Sequence, residues 1–222
     1  MKEITNAQLL LDVPETDTSF NFEAYADVLM SVILESDPRF TLGIYGGWGT
    51  GKTTLMKLIQ TRLLPQDDSV HCVYFDAWRY QHETHMILPL LDTIYESLNK
   101  TKTRWQTVGV SLKDAVLSLA QGLSIKLPGV GINPSDIIET WKNRGKVFSD
   151  YYNHLGVLQD ALDTIRKDDP RSRLVIFVDD LDRCLPAQAL QLLESLKTIF
   201  DVSGIIFILG LDYTTIAKSV EK

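Results

Sequence analysis

Gly46-Gly47-Trp48-Gly49-Thr50-Gly51-Lys52-Thr53 fits the pattern GxxxxGK[ST]. It follows the apolar run Phe40 to Tyr45 and precedes a segment carrying Leu55, Met56, Ile59 and Leu63 at helical spacing. Few patterns restrict a fold more. A strand ending in a glycine-rich turn that opens a helix requires a sheet with that helix packed on it, since the helix must bury its apolar stripe somewhere. The turn suits phosphate: glycines let the backbone curl into a nest of inward N–H groups, and the helix N-terminus adds partial positive charge. The expected phosphate-binding residues are Gly46, Gly47, Trp48, Gly49, Thr50, Gly51, Lys52, Thr53 and Thr54. Lys52 would neutralise phosphate charge and the Thr53 hydroxyl would ligate Mg²⁺. Trp48 is expected to pack against the protein rather than shield the phosphates.

Three further apolar runs, His71 to Phe75, Leu174 to Val178 and Ile205 to Leu209, read as strands, and none of the four shows polar alternation. Strands apolar on both faces belong in a parallel sheet covered by helices, so the expected architecture is three-layer α/β. A helix is expected from Phe22 to Ile33, capped by Asn21 and ended before Pro38. Between the second and third strands lie about ninety residues with helical patterning, too many for one crossover. Ile87 to Leu98 reads as the crossover helix, Leu112 to Leu123 as a second helix opened by a Ser111/Asp114 capping-box pattern, and Tyr152 to Ile165 as a third. Residues 101–168 are accordingly expected to form a helical insertion within a single domain, 1–222.

The third strand ends in two adjacent carboxylates, Asp179 and Asp180. In a parallel sheet, ligands gather at the carboxyl ends of the strands, so Asp179 should emerge beside the glycine loop and help hold Mg²⁺. Asp180 faces elsewhere and is the expected group to orient and deprotonate an attacking water, although it reaches one methylene less far than the Glu often found there. Lys52 and Asp180 are thus the expected catalytic residues. Guanine-reading sites usually carry NKxD, whereas the only Asn-Lys pair continues as Asn99-Lys100-Thr101-Lys102, so ATP is the expected nucleotide. Adjacent acids suit activation of water better than of a substrate hydroxyl, which favours hydrolysis.

Composition narrows the partners. A net charge of −7 with 45% hydrophobic residues describes an ordinary globular chain and argues against a surface given over to nucleic acid. Cys72 and Cys184 have no metal-ligand spacing and suit a reducing compartment, and the N-terminus lacks a secretory core, so a cytoplasmic location is expected. The most membrane-like stretch, Val108 to Ile125, is interrupted by Lys113 and Asp114, short of the roughly 20 apolar residues of a span.

Three separated stretches together resemble the KAP-type P-loop NTPases, a branch of the additional-strand NTPases related to the STAND group. They are Gly43-Ile44-Tyr45-Gly46-Gly47-Trp48-Gly49-Thr50-Gly51-Lys52-Thr53-Thr54, Phe75-Asp76-Ala77-Trp78-Arg79-Tyr80, and Ile176-Phe177-Val178-Asp179-Asp180-Leu181-Asp182-Arg183-Cys184. The resemblance implies an ATP-binding domain with a helical insertion before the acidic strand, membrane-spanning in many relatives, and associations with phage exclusion. Related cores add a fifth strand and a helical lid, both expected to be missing here.

The resulting expectation is an Mg²⁺-dependent ATPase whose hydrolysis drives or times a conformational change. Two alternatives stay open: an ATP-binding switch or scaffold with negligible turnover, and attachment of residues 105 to 135 to the inner face of a membrane. The insertion is the expected surface for a protein partner or a second copy. For Arg183 the favoured reading is an ion pair, with Asp182 as partner, and Asp212 is either a γ-phosphate sensor or a helix cap. No catalytic role is assigned to the AWRY segment, where Trp78 and Tyr80 would suit the sheet edge.

Overall fold

The computed structural model describes residues 22–64, 68–101, 103–122, 156, 158–199 and 201–212. Within these, the elements run α1 (Phe22–Glu35), β1 (Arg39–Tyr45), α2 (Lys52–Leu63), β2 (Val70–Asp76), α3 (Ile87–Lys100), α4 (Trp105–Gly122), a helix over 158–168 (α5), β3 (Arg173–Asp179), α6 (Pro186–Ile199) and β4 (Ile205–Leu211). Short 3₁₀ turns, Ala77–Tyr80 and Leu181–Arg183, follow β2 and β3 directly.

The sheet is parallel, in the order β1-β4-β3-β2. β4 therefore lies between the strand that leads into the glycine loop and the strand that ends in the acids. All seven residues of β3 and all seven of β4 are buried, as expected of strands covered on both sides. Their alternate side chains feed two cores. Val175, Phe177, Ile206 and Ile208 pack with Met56, Ile59 and Leu63 of α2 and Ala26 and Ile33 of α1. On the opposite face, Leu174, Ile176, Val178, Phe207 and Leu209 pack with α3, α4, α5 and α6.

β1 departs from the expected pattern. Its exposure alternates, with Phe40, Leu42 and Ile44 half-buried toward α1 and α2, and Arg39, Thr41, Gly43 and Tyr45 exposed. β1 is an end strand of this sheet, with β4 on one side, and among the described residues the face that carries Phe40, Leu42 and Ile44 is the one packed against α1 and α2.

α4 begins at Trp105, well before Ser111, so the expected capping box is overturned: Ser111 lies inside the helix and its hydroxyl donates to the Thr107 carbonyl one turn back, at 3.3 Å. Trp105 starts the helix instead. It is 2% exposed, and its indole N–H donates to the Asp68 carbonyl at 2.8 Å, which ties the helix to the segment before β2. The α4 backbone packs along α3, and Leu98 and Gly109 meet closely there.

A buried arginine closes the opposite end of the sheet. Arg173, 4% exposed, donates to the carbonyls of Ile33, Ser36 and Arg171, satisfying the last turn of α1. Asn21, the third insertion helix before residue 156, and Tyr213 to Val220 lie outside the described residues. No helix among the described residues is long and apolar enough to cross a membrane.

Candidate functional site

The loop Gly46–Gly51 leaves β1 at its carboxyl end and enters α2. The Gly46 amide donates to Leu211 O at 3.3 Å, fastening the loop to the end of β4, and the Thr50 hydroxyl donates to Gly47 O at 2.9 Å inside it. Gly51 caps α2 at φ 85°, a left-handed conformation, and a Cβ there would meet the Phe22 ring at 2.5 Å. Glycine is required on both counts. Lys52, Thr53 and Thr54 form the first turn of α2, and the Lys52 ammonium folds back to donate to the carbonyls of Gly46 (2.9 Å) and Gly47 (3.1 Å). Trp48 is 77% exposed, so the expectation that it packs is overturned: the loop turns its indole outward, away from both cores.

The acids converge on the same end of the sheet. Asp179, 2% exposed, is the last residue of β3 and faces α2. Its Oδ1 accepts the Asp180 amide at 2.9 Å and lies against β4, where a Cβ on Gly210 would come within 2.8 Å of it and of Met56 Sδ. Its Oδ2 accepts the hydroxyl of Tyr74 from β2. Tyr74 stacks on Phe177 at 6.1 Å, and Lys57 of α2 places its ammonium 3.1 Å from the Tyr74 ring centroid. Burial, followed by the bond to Asp179, raises the Tyr74 pKa, so the phenol stays a donor. Burial lowers the pKa of Lys57.

Asp180 adopts φ 55°, a left-handed conformation uncommon for a residue with a side chain, and this turns the chain sharply out of β3. Its carboxyl is pushed up to about 6, first by burial and then by the Asp179 charge, against the pull of Arg183. Arg183 Nε lies 2.8 Å from Asp180 Oδ1, so the expected arginine ion pair exists but with Asp180 rather than Asp182. The turn's geometry explains this, because residues three apart stack in a 3₁₀ turn. Asp182 instead reaches Lys52 Nζ at 3.4 Å. The segment after β2 stands beside this turn. Asp76 pairs in register with Asp179 and accepts from Arg79 at 2.8 Å, Tyr80 stacks on Phe75 at 5.1 Å, and half-exposed Trp78 lies 5.9 Å from the Arg183 guanidinium.

The residues suit a magnesium ion. The Thr53 hydroxyl and the carboxylates of Asp179, Asp76 and Asp182 are hard oxygen donors, and two buried carboxylate oxygens, Asp76 Oδ1 and Asp182 Oδ1, have no hydrogen-bond partner among the described residues. No three acidic, histidine or cysteine side chains among those residues converge into a protein cage. Mg²⁺ usually takes only one or two carboxylates and keeps several waters.

The sequence-predicted residues Gly46 to Thr54, Asp179 and Asp180 are thus brought to one end of the sheet, while Tyr74, Gly210 and Asp182 join them without having been assigned there. A tyrosine one strand away gave no local signal, whereas Asp182 was visible as the third acid of DDLD.

The sequence profile of the KAP family P-loop domain matches residues 22–222. An uncharacterized protein of Methanocaldococcus jannaschii is 25% identical over 166 residues, 60% of this chain and 86% of that protein. The phage T7 exclusion protein of Escherichia coli K12 is 28% identical over 229 residues, which cover 95% of this chain and 31% of that protein, so the chain spans less than a third of that relative's length. Among solved structures, the ORC2 protein of Aeropyrum pernix in its ADP form aligns with TM-score 0.40 and 18% identity, covering 90% of this chain and 43% of that one.

Proposed function

Since the chain belongs to the KAP family of P-loop NTPase domains, we propose that it binds ATP with Mg²⁺ and hydrolyses it to drive or time a conformational change. One observation carries this reading: the lysine of the glycine loop and the acids after β3 share a single end of the sheet, with Lys52 Nζ 3.4 Å from Asp182. The amides that follow Gly46, from Gly47 to Lys52, cradle the phosphates, while the Gly46 amide fastens the loop to Leu211 O, and the Lys52 ammonium balances the phosphate charge. Thr53 and Asp179 would hold a metal ion, which when bound would offset the charge on the phosphate oxygens. Asp180 orients a water and takes its proton as the water oxygen attacks the γ-phosphorus and the bond to the β-bridging oxygen breaks, leaving ADP and phosphate.

Equilibrium binding of ATP to the wild type and to Lys52→Ala tests the assignment. Loss of at least tenfold in affinity is expected; no binding by the wild type, or equal binding by both, refutes it.

A second reading, a nucleotide-dependent switch with negligible turnover, is favoured by the Arg183–Asp180 pair, which holds the proposed base in a salt bridge. Single-turnover rates of wild type and Asp180→Asn separate the two, because only the switch predicts no difference. The name of the Escherichia coli relative supports a role in excluding phage. Plating of phage on cells expressing the wild type or Lys52→Ala measures it.

A further inference from the structure

Lys52 and Asp182 meet from opposite ends of the chain, and the side chain of each is 9% exposed. The three hydrogens of the ammonium have three acceptors within the protein: Gly46 O at 2.9 Å, Gly47 O at 3.1 Å and Asp182 Oδ2 at 3.4 Å. The carboxylate is less well served. Its Oδ1 is buried and has no hydrogen-bond partner among the described residues. A buried carboxylate with one oxygen unsatisfied costs free energy, and so does a buried ammonium without a counter-charge. Each offsets part of the other's cost. The carboxylate also touches the lysine of a loop whose glycine nest and helix terminus favour an anion, so it is a charge that an incoming phosphate meets at Lys52.

We propose that Asp182 is a positioning residue for Lys52: it steers the ammonium over the loop, and an incoming phosphate must compete with it. This rests on the phosphate-binding reading of the loop. A carboxylate and a phosphate that share one ammonium repel each other in a poorly screened site, so phosphate binding weakens the Lys52–Asp182 contact in favour of a Lys52–phosphate contact. The displaced carboxylate then accepts from water, with Oδ1 already unfilled and facing that need. Nucleotide affinity is lower than the loop alone would give, and the difference depends on the charge of Asp182.

The test is equilibrium binding of ATP, in the presence of a metal chelator, to wild type, Asp182→Asn, Asp182→Ser, Lys52→Met and the double variant Lys52→Met/Asp182→Asn. Asn keeps the size and removes the charge, and Ser serves should Asn fold poorly. Both single Asp182 variants are expected to bind about fivefold tighter or more, as removal of one competing charge implies, and this gain should vanish in the Lys52→Met background. A residue with only a structural role would not tighten chelator-state binding, and a carboxylate that merely repels the phosphates, as a metal ligand would, gives a gain that survives Lys52→Met. Unchanged or weaker binding by the Asp182 variants, or a gain that survives Lys52→Met, overturns the proposal. If wild type and Lys52→Met bind alike, the phosphate-binding reading itself has failed, a result distinct from either of these.

Discussion

The Tyr74 hydroxyl donates to Asp179 Oδ2 while the Asp180 amide donates to Oδ1, so both oxygens of the buried carboxylate are fixed by neighbours before any ligand is considered. Groups that orient a metal-binding carboxylate affect metal affinity about as strongly as weak ligands do.

Tyr74→Phe is therefore expected to raise the Mg²⁺ concentration for half-maximal nucleotide binding about tenfold, with affinity in chelator unchanged. The lost hydrogen bond should cost about 1–2 kcal/mol of stability, measured by denaturant unfolding. Equal Mg²⁺ titrations for the two proteins would show that the tyrosine only packs.

Gly210→Ala places a methyl against Asp179 Oδ1 and Met56 Sδ, both 2.8 Å away. Neither can retreat freely, since Asp179 is bonded at both oxygens and Met56 is fully buried. Turnover should fall on the order of 10–100-fold, as displacement of a catalytic constellation by an ångström does. Steady-state kinetics on folded variant would show it; wild-type rates would mean that β3 shifts without harm.

Asp180, with its carboxyl near 6, must be ionised to take a proton from water. Turnover is expected to fall about tenfold per pH unit once that carboxyl is mostly protonated, with a bound metal ion at Asp179 moving the limb to lower pH. Arg183 lowers the carboxyl's pKa, so Arg183→Met should move the acidic limb to higher pH. A pH–rate profile with the limb unmoved would remove Asp180 from the base role.

His71 is held neutral by burial, its pKa pushed down to about 4, beside Ser97 Oγ at 3.0 Å and the Trp105 ring. Unfolding returns it to about 6.5, where the unfolded chain binds the extra proton. The stability it contributes is full above about pH 6.5 and is lost as pH falls toward 4. Melting temperatures across that window should drop less for His71→Asn than for wild type.

Residues whose role is local were legible in the sequence. The glycine loop and the strand ending in Asp179 and Asp180 announce themselves by spacing alone, and the four strands were found within two residues at each end. What the sequence hid depends on pairing. The alternation of β1 was written in Arg39, Thr41 and Gly43 against Phe40, Leu42 and Ile44 and was passed over, whereas the place of β1 at an end of the sheet is not written in the strand itself. Tyr74 and Gly210 matter because β2 and β4 flank β3, and Arg183 chose Asp180 because a 3₁₀ turn stacks residues three apart. The start of α4 was misplaced for a related reason: the partner of Trp105, Asp68 O, lies on a segment distant in the sequence.

β1 is joined to a neighbour along one side among the described residues, and half of its side chains meet solvent. Strands so placed open at low free energy, long before the global transition. The glycine loop thus hangs from the most exposed strand of this sheet, while Asp179 ends one of the best buried. Amide hydrogens of residues 39–45 should exchange faster than those of 173–179, and a bound nucleotide should slow the first set far more than the second. Such slowing would mean that part of the affinity for a nucleotide is consumed in quieting that strand.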